Sequence, residues 1–533
     1  MNPTPQQQAA IDCAQRQICI IAGPGSGKTA TLKERVLHRS LPAKEVVLLT
    51  FTNAGANEMK HRLGDYKPRF VGTLHKFCFM LMQQFGNLIG YRNGTIAIVD
   101  EETRDAMLDE IVAELGMKKR LTKTALMKRS GPDAALVWKQ LHFRLKQDNT
   151  TTYDGILDAG LALIQTKEAQ EAWRVIDLYL DEAQDSSDVD WKIIKAFPAM
   201  NLFIIGDPDQ SIFAFRGGRP ELLTEFFNDP KTTPMLLEDN FRSDIAICSV
   251  ANCLIGKNTN RIPKLLIPLS QEEGNVTVDT HTDDNAEIRW LISRLQEEPN
   301  PNEVAVLSRL NKITNEARYA CKQAGIPINE PPKRGNELEW NKVLALVGLM
   351  LDRGSNLLAE KFLRCSMRAT DVARMKLQAM AGGRTLNDVA AILPHRGNTP
   401  LLDVPQILAK KGVGMEEVAL VVSRIGLHES IAELLHDLWN RAEWIERITS
   451  GVTFSTIHGS KGREFDSVYV LGMEEGTLPM LRDNTPVEEE RRLAFVAFTR
   501  ARHSLSLSWA KKRSREYGPP VYAEPSRFIK EAL

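Results

Sequence analysis

Two rhythms alternate along the chain. Short, nearly unbroken apolar runs are followed by segments of amphipathic character, the pattern of buried strands alternating with helices. The runs predict strands at Gln17–Ala22, Glu45–Phe51, Val175–Leu180 and Asn201–Gly206. A second set is predicted at Asn275–His281, Glu303–Arg309, Gly451–His458, Ser467–Leu471 and Ser504–Ala510. Two long stretches, Phe85–Ala172 and Gly335–Ile445, read instead as helical. In the second of them Ile431, Leu434, Leu435 and Leu438 fall at i, i+3, i+4 and i+7 and form one apolar face. There is no fixed-period repeat and no low-complexity tract. The expected fold is α/β, with two lobes built on parallel sheets, each interrupted by a mainly helical insertion. The expected divisions are 1–84 and 173–242 for the first lobe and 85–172 for its insertion. The second lobe takes 243–334 and 446–533, and a short insertion takes 335–445.

Composition narrows the class. A chain of 533 residues has room for three or four domains of about 150 residues each. With 43% hydrophobic and 26% charged residues it is neither collagen-like, disordered nor a disulfide scaffold. The longest apolar run, near Val343–Leu351, is too short to span a bilayer. The opening MNPTPQQQAA has neither a basic nor an apolar signal region, so a cytoplasmic protein without membrane association is expected. The cysteines, at 13, 19, 78, 248, 253, 321 and 365, form no CxxC pair and no zinc spacing, and read as buried or free thiols. Lys+Arg and Asp+Glu both number 68. Zero net charge argues against a protein that simply coats DNA, though not against one with a basic groove.

The sharpest chemical signal is AGPGSGKT at 22–29, placed between a predicted strand and a predicted helix, Lys28–Ser40. Glycines there let backbone amides curl around phosphate oxygens, and the helix N-terminus adds a favourable dipole. Lys28 is placed to neutralise the β- and γ-phosphates and Thr29 to hold Mg²⁺. A second strand, Val175–Leu180, delivers Asp181-Glu182-Ala183-Gln184-Asp185. Asp181 at the strand tip suits Mg²⁺, and Glu182 suits a general base acting on water. GDPDQS at 206–211 follows a third strand, where Gln210 can sense a γ-phosphate. Phosphoryl transfer also calls for arginines, and Arg242 in LEDNFRS and Arg500 in AFTRAR are the candidates by context.

Taken in order, TPQQQAAI, AGPGSGKT, LLTFTNAGANEM, VGTLHKFC, YLDEAQD, IIGDPDQSIFAFRGG, LEDNFRS, VTFSTIHGSKGREFDSVYVLGMEEGTLP and EEERRLAFVAFTRAR resemble the UvrD/Rep/PcrA family of superfamily 1 (1A) DNA helicases. The resemblance runs from residue 4 to about residue 510. It implies two RecA-like P-loop lobes with ATP and Mg²⁺ between them. Gln7 would read the adenine edge and Phe241 would stack on its ring. Ala22, Gly23, Gly25, Ser26, Gly27, Lys28 and Thr29 would hold the phosphates, and Glu464 the ribose. Gln210, Arg242 and Arg500 would surround the γ-phosphate, the two arginines as fingers. Single-stranded DNA would cross both lobes over Phe51, Asn53, Thr73, His75, Phe213, Phe215, Arg216 and His458, with aromatic rings as stacking platforms. The implied activity is ATP-driven strand translocation and 3′→5′ unwinding at single-strand/duplex junctions. The chain departs from the family pattern at Ala30 and Ala54, where Arg and Lys are common, and at Phe215 and Phe241, where Trp and Tyr are common.

The insertions carry no family motif. Met117–Lys146 holds nine Lys/Arg against one acidic residue, Asp133, and follows the acidic Asp100–Glu114. Such a basic stretch suits duplex backbone. The second insertion is short for the family, which suggests altered autoinhibition or dependence on a partner. The tail carries Lys511, Lys512, Arg513 and Arg515 and leaves no room for a nuclease domain, so any nuclease would be a separate chain. The alternative expectation is a DNA-stimulated motor or sensor ATPase serving a nuclease, repair or antiphage defence complex and unwinding poorly alone.

Overall fold

The computed structural model describes residues 3–117, 121–127, 131–214, 217–329, 337–393, 399–426, 428, 430–439, 450–481, 486–514 and 520–533. Phe215, Arg216, Arg515 and part of the basic stretch (118–120 and 128–130) lie outside the described residues.

The first sheet has six parallel strands, in spatial order Phe70–Thr73, Val46–Thr50, Val175–Leu180, Ala199–Gly206, Gln17–Ala22 and Thr233–Leu237. The second has five, also parallel: Asn275–His281, Ala501–Ala510, Phe465–Leu471, Val304–Ser308 and Thr453–Thr456. Helices cover both faces of each sheet, which is why its inner strands are apolar without alternation; Val46–Thr50 and Val304–Ser308 are buried throughout. One face of the first sheet packs Leu32, Val36, Met59 and Tyr179. The other packs Phe77, Leu163, Trp173 and Ile204.

Several predicted ends shift by a residue or more. Glu45 closes a short 3₁₀ turn before Val46, the 451–458 strand contracts to Thr453–Thr456, and the helix after the phosphate loop stops at His38. Two strands of the first sheet carried no sequence signal. Phe70–Thr73 contains Gly72 and Thr233–Leu237 contains Pro234, residues that break a strand pattern. Both strands lie at the sheet's edges, where a missing donor or side chain is tolerated. The first insertion also holds a parallel pair, Ala97–Val99 with Thr150–Thr152.

The helix Tyr153–Ile164 lies against Leu74–Phe85 within the first lobe's core. They approach closely at Gly160, where a Cβ would stand 2.3 Å from Cys78 Sγ. The two insertions share one apolar core. Leu108, Ile111, Val137 and Leu141 of the first join Val343, Leu346, Leu358 and Leu434 of the second. Polar contacts reinforce the seam. Arg92 pairs with Asp352 and Lys361 with Asp100. Asp148 accepts from Ser355 Oγ (2.5 Å) and from the amide of Asn356 (2.9 Å) at the start of the helix Asn356–Arg364. Among the described residues no helix is long and apolar enough to cross a membrane.

Candidate nucleotide site and strand path

The loop 22–27 turns from the strand Gln17–Ala22 into the helix Lys28–His38. Gly25 and Gly27 both adopt left-handed φ, +74° and +75°. A Cβ on Gly25 would lie 2.7 Å from Arg242 Cβ and 2.8 Å from Asn240 Nδ2, and one on Gly27 2.7 Å from Gln7 Nε2. Conformation and space thus both require glycine at these positions. Ser26 Oγ donates to the Gly23 carbonyl (2.7 Å), and Lys28 Nζ to that of Ala22 (3.3 Å). Gln7, at the buried start of the first helix, donates through Nε2 to Ser26 O (3.0 Å). Phe241 is 38% exposed, and its ring edge is 4.0 Å from where a Gly27 Cβ would sit. A polar amide and an open ring therefore flank the phosphate loop.

Asp181 and Glu182 follow the strand Val175–Leu180, beside the strand that feeds the loop's neighbours. Burial, reinforced by the Glu182 charge, pushes the Asp181 carboxyl up to about 7. Glu182 goes the other way. Burial opposes its charge, but Lys28, Lys461 and a 2.6 Å donation from Gln184 Nε2 outweigh it and hold the carboxyl below its usual range. Neighbouring carboxylates with opposed shifts suit distinct roles. Glu182 has φ +53°, a conformation costing on the order of 1 kcal/mol for a residue with a side chain. It is kept there by bonds on both sides, Glu182 N to Asp181 Oδ1 (2.9 Å) and Asp185 N to Glu182 O (3.1 Å).

Gln210 is buried and donates through Nε2 to Asp207 Oδ2 (2.7 Å). Arg242 leaves the first lobe and reaches the second, where Nε contacts Glu464 Oε2 (2.6 Å) and NH1 the Thr499 carbonyl (3.1 Å). Glu464 is shared with Arg502 (2.8 Å). Arg500 is 1% exposed and, among the described residues, hydrogen-bonds to neutral acceptors alone: Val496 O (3.0 Å), Arg463 O (2.9 Å) and Thr499 Oγ1 (3.4 Å). Burial, with the nearby Arg242 charge, brings its pKa down to about 9. Glu182, Glu464 and Asp207 oppose that shift without hydrogen-bonding to the guanidinium, and a buried cation with no carboxylate bonded to it is suited to receive an anion.

Four residues of this site went unassigned in the sequence. Asn240 ties the loop to the hinge, donating to Pro24 O (2.7 Å) and accepting from the amides of Arg242 (2.9 Å) and Ser243 (2.7 Å). Gln184 links Glu182 to Asp207, whose amide donates to its Oε1 (2.8 Å). Lys264 is buried against Asp207 (2.6 Å) and Asp209. Lys461 reaches from the second lobe to Asp185 (2.5 Å) and to Gln210 O (2.9 Å). Asn240, Gln184 and Lys461 lie inside quoted motifs, but no local pattern marks Lys264.

The strand candidates separate into groups. Phe51 and Phe213 are stacked, with centroids 5.9 Å apart at 18°, and His458 lies 6.4 Å from Phe213. His75 instead stacks on Tyr153 (4.3 Å), and burial takes its pKa down to about 4. Thr73 is buried, and its hydroxyl caps the helix Leu74–Phe85 by accepting from Lys76 N (3.2 Å). Asn53 opens the helix Asn53–Leu63.

Among the described residues no cluster of three or more His, Cys, Asp or Glu could hold a metal alone. Thr29 and Asp181 fit the other arrangement, in which Mg²⁺ takes one carboxylate and completes its shell with water and substrate phosphates.

The chain matches the UvrD/REP helicase N-terminal domain over residues 3–130 and 113–231, and the UvrD-like helicase C-terminal domain over 235–371 and 421–512. It is 27% identical to ATP-dependent DNA helicase UvrD1 of Mycobacterium leprae, over 99% of this chain and 85% of that protein. It is 28% identical to ATP-dependent DNA helicase UvrD2 of Mycobacterium tuberculosis, over 98% and 80%. With DNA helicase II of Escherichia coli the identity is 24%, over 99% and 86%. Two successive domain matches, whose ranges span the phosphate loop, Arg242 and Arg500, make this chain a member of the UvrD-like helicase family.

Proposed function

We propose that this protein is an Mg²⁺- and ATP-dependent DNA helicase that translocates 3′→5′ on single-stranded DNA. The observation that supports this most is the meeting of the two lobes at Arg242, which is bonded to Glu464 and Thr499 O, near the buried Arg500, which hydrogen-bonds to no carboxylate among the described residues.

In this reading Gln7 and Phe241 hold adenine, Glu464 the ribose, and the amides of 23–29 with Lys28 the phosphates. Thr29 and Asp181 would hold Mg²⁺, which neutralises phosphate charge. Glu182 takes the proton of the attacking water. Gln210, Arg242 and Arg500 gather the charge that develops on the transferred phosphoryl group. Because the arginines belong to the second lobe and the hinge, hydrolysis removes an anion that holds the lobes together. Phe51, Phe213 and His458 form the stacking platform for bases, and Phe215 and Arg216, in the same sequence motif, remain candidates for the strand. The lobe divisions follow the sequence reading, with 1–84 and 173–242 against 243–334 and 446–533, and the helix Tyr153–Ile164 adds to the first lobe's core. A cytoplasmic location accords with this role.

The test is ATP hydrolysis with and without an oligothymidylate, with Lys28→Ala as the blank. Strand-stimulated hydrolysis that the substitution abolishes is expected, and hydrolysis indifferent to DNA would overturn the reading. Polarity is tested on partial duplexes with a 3′ or a 5′ tail, of which only the 3′-tailed one should be unwound.

A further inference from the structure

Lys461 stands where three functional segments meet. It is carried by the second lobe, just past the strand Thr453–Thr456, yet its ammonium is spent on the first lobe. One donor goes to Asp185 Oδ2 (2.5 Å) and another to the Gln210 carbonyl (2.9 Å), and the cation lies 4.9 Å from the centroid of the Phe213 ring. Asp185 is almost wholly buried, its side chain 1% exposed, and Lys461 is the cation paired with it. Its other oxygen, Oδ1, has no hydrogen-bond partner among the described residues. On the far side of Asp185, Gln184 Nε2 donates to Asp185 Oδ2 (3.3 Å) and to Glu182 Oε2 (2.6 Å). A continuous chain of polar contacts thus runs from the Phe213–Phe51 stack through Lys461, Asp185 and Gln184 to Glu182.

We propose that Lys461 is a positioning residue that couples strand occupancy to the hydrolytic carboxylate. This rests on the strand-stimulated ATPase reading above. A base stacking on Phe213 changes the aromatic face over which the ammonium sits. Movement of the second lobe carries Lys461 relative to Asp185. Either event alters the pull on the Gln184 amide, and so the orientation of Glu182. Lys461 touches neither nucleotide nor water in this scheme.

A contiguous path is not by itself evidence of coupling, so the test measures coupling. Lys461→Met, Asp185→Asn and the double variant are compared with the wild type for hydrolysis at saturating ATP, with and without oligothymidylate. The ratio of stimulated to unstimulated rate should fall about tenfold in either single variant, with the double no worse than the singles. Thermal unfolding identifies a variant that has lost its fold, and the near-isosteric Asp185→Asn then carries the test. The proposal is overturned if the stimulation ratio is unchanged, if both rates fall by one common factor, or if the two losses multiply. A wild type that DNA does not stimulate would instead sink the reading beneath it.

Discussion

Gln7 and Ser26 are joined by one hydrogen bond, from Gln7 Nε2 to the Ser26 carbonyl, and that bond fixes which way the amide faces. The same side chain accepts from Thr4 N through Oε1 (3.1 Å), so both ends are anchored and the group cannot turn over. What remains is one N–H and one acceptor lone pair. Adenine offers the matching pair, the N7 acceptor and the N6 donor, whereas guanine presents O6 in place of the donor. Gln7→Ala should raise KM for ATP about tenfold and erase most of the preference for ATP over GTP, because discrimination rests on a polar group left unpaired by the wrong base. Steady-state kinetics with both nucleotides check this. An unchanged ATP/GTP ratio would remove Gln7 from base recognition.

Arg500 is the second case. Among the described residues it hydrogen-bonds to Val496, Arg463 and Thr499 and to no carboxylate, while Glu182, Glu464 and Asp207 act on it at longer range. If its charge acts on the developing phosphoryl charge, Arg500→Lys should lower kcat by roughly 10²–10³ while KM for ATP shifts little. The lysine keeps a cation but loses the planar fork that three separate acceptors hold in place. A loss confined to KM would assign Arg500 to ground-state binding instead.

The strands and the phosphate loop were legible for a physical reason. A parallel strand buried on both faces must be apolar throughout, as in the runs at Ile18–Ala22 and Val304–Leu307, and a phosphate loop needs glycine where φ is positive. The edge strands were illegible because Pro234 lacks a ladder donor and fits only an edge, and Gly72 has no side chain to add to an apolar run. Lys264 was illegible because a lone lysine has no signature, and Lys461, though inside a motif, carried no sign of what it pairs with. Each gains its role from a carboxylate 55 or 276 residues away in sequence. The insertions' shared core was hidden likewise, since an amphipathic face such as Ile431–Leu438 does not name its partner.

Phe213 stacks on Phe51 and lies beside His458, within an aromatic group drawn from both lobes. Phe213→Ala should weaken oligothymidylate binding by about 1–3 kcal/mol, roughly five- to 150-fold, and Phe213→Trp should restore it. Fluorescence anisotropy at fixed salt measures both, the salt being held because phosphate contacts add a strong ionic dependence. Equal affinity in the alanine variant would make Phe213 a packing residue.

His436 makes stability depend on pH. It sits in the second insertion, 2% exposed, with its ring 5.9 Å from that of Phe79 in the first lobe. Burial, then the charges of Lys76, His75 and His428, take its pKa down to about 3 against the opposing pull of Asp437. The folded state therefore keeps the ring neutral where the unfolded chain, near 6.5, protonates. Stability is fully present above pH 6.5 and is lost as pH falls toward 3. Between pH 7 and pH 5 this residue alone should remove about 2 kcal/mol. Asp148 and Asp185, both pushed up to about 6 by burial, act in the opposite direction over part of that range. The raw curve therefore mixes signs, and the informative quantity is the difference between wild type and His436→Gln. Urea unfolding at the two pH values should show a drop about 2 kcal/mol smaller in the variant, whatever its stability at pH 7. Parallel pH dependences would mean that His436 takes up its proton without unfolding the seam between the insertion and the lobe.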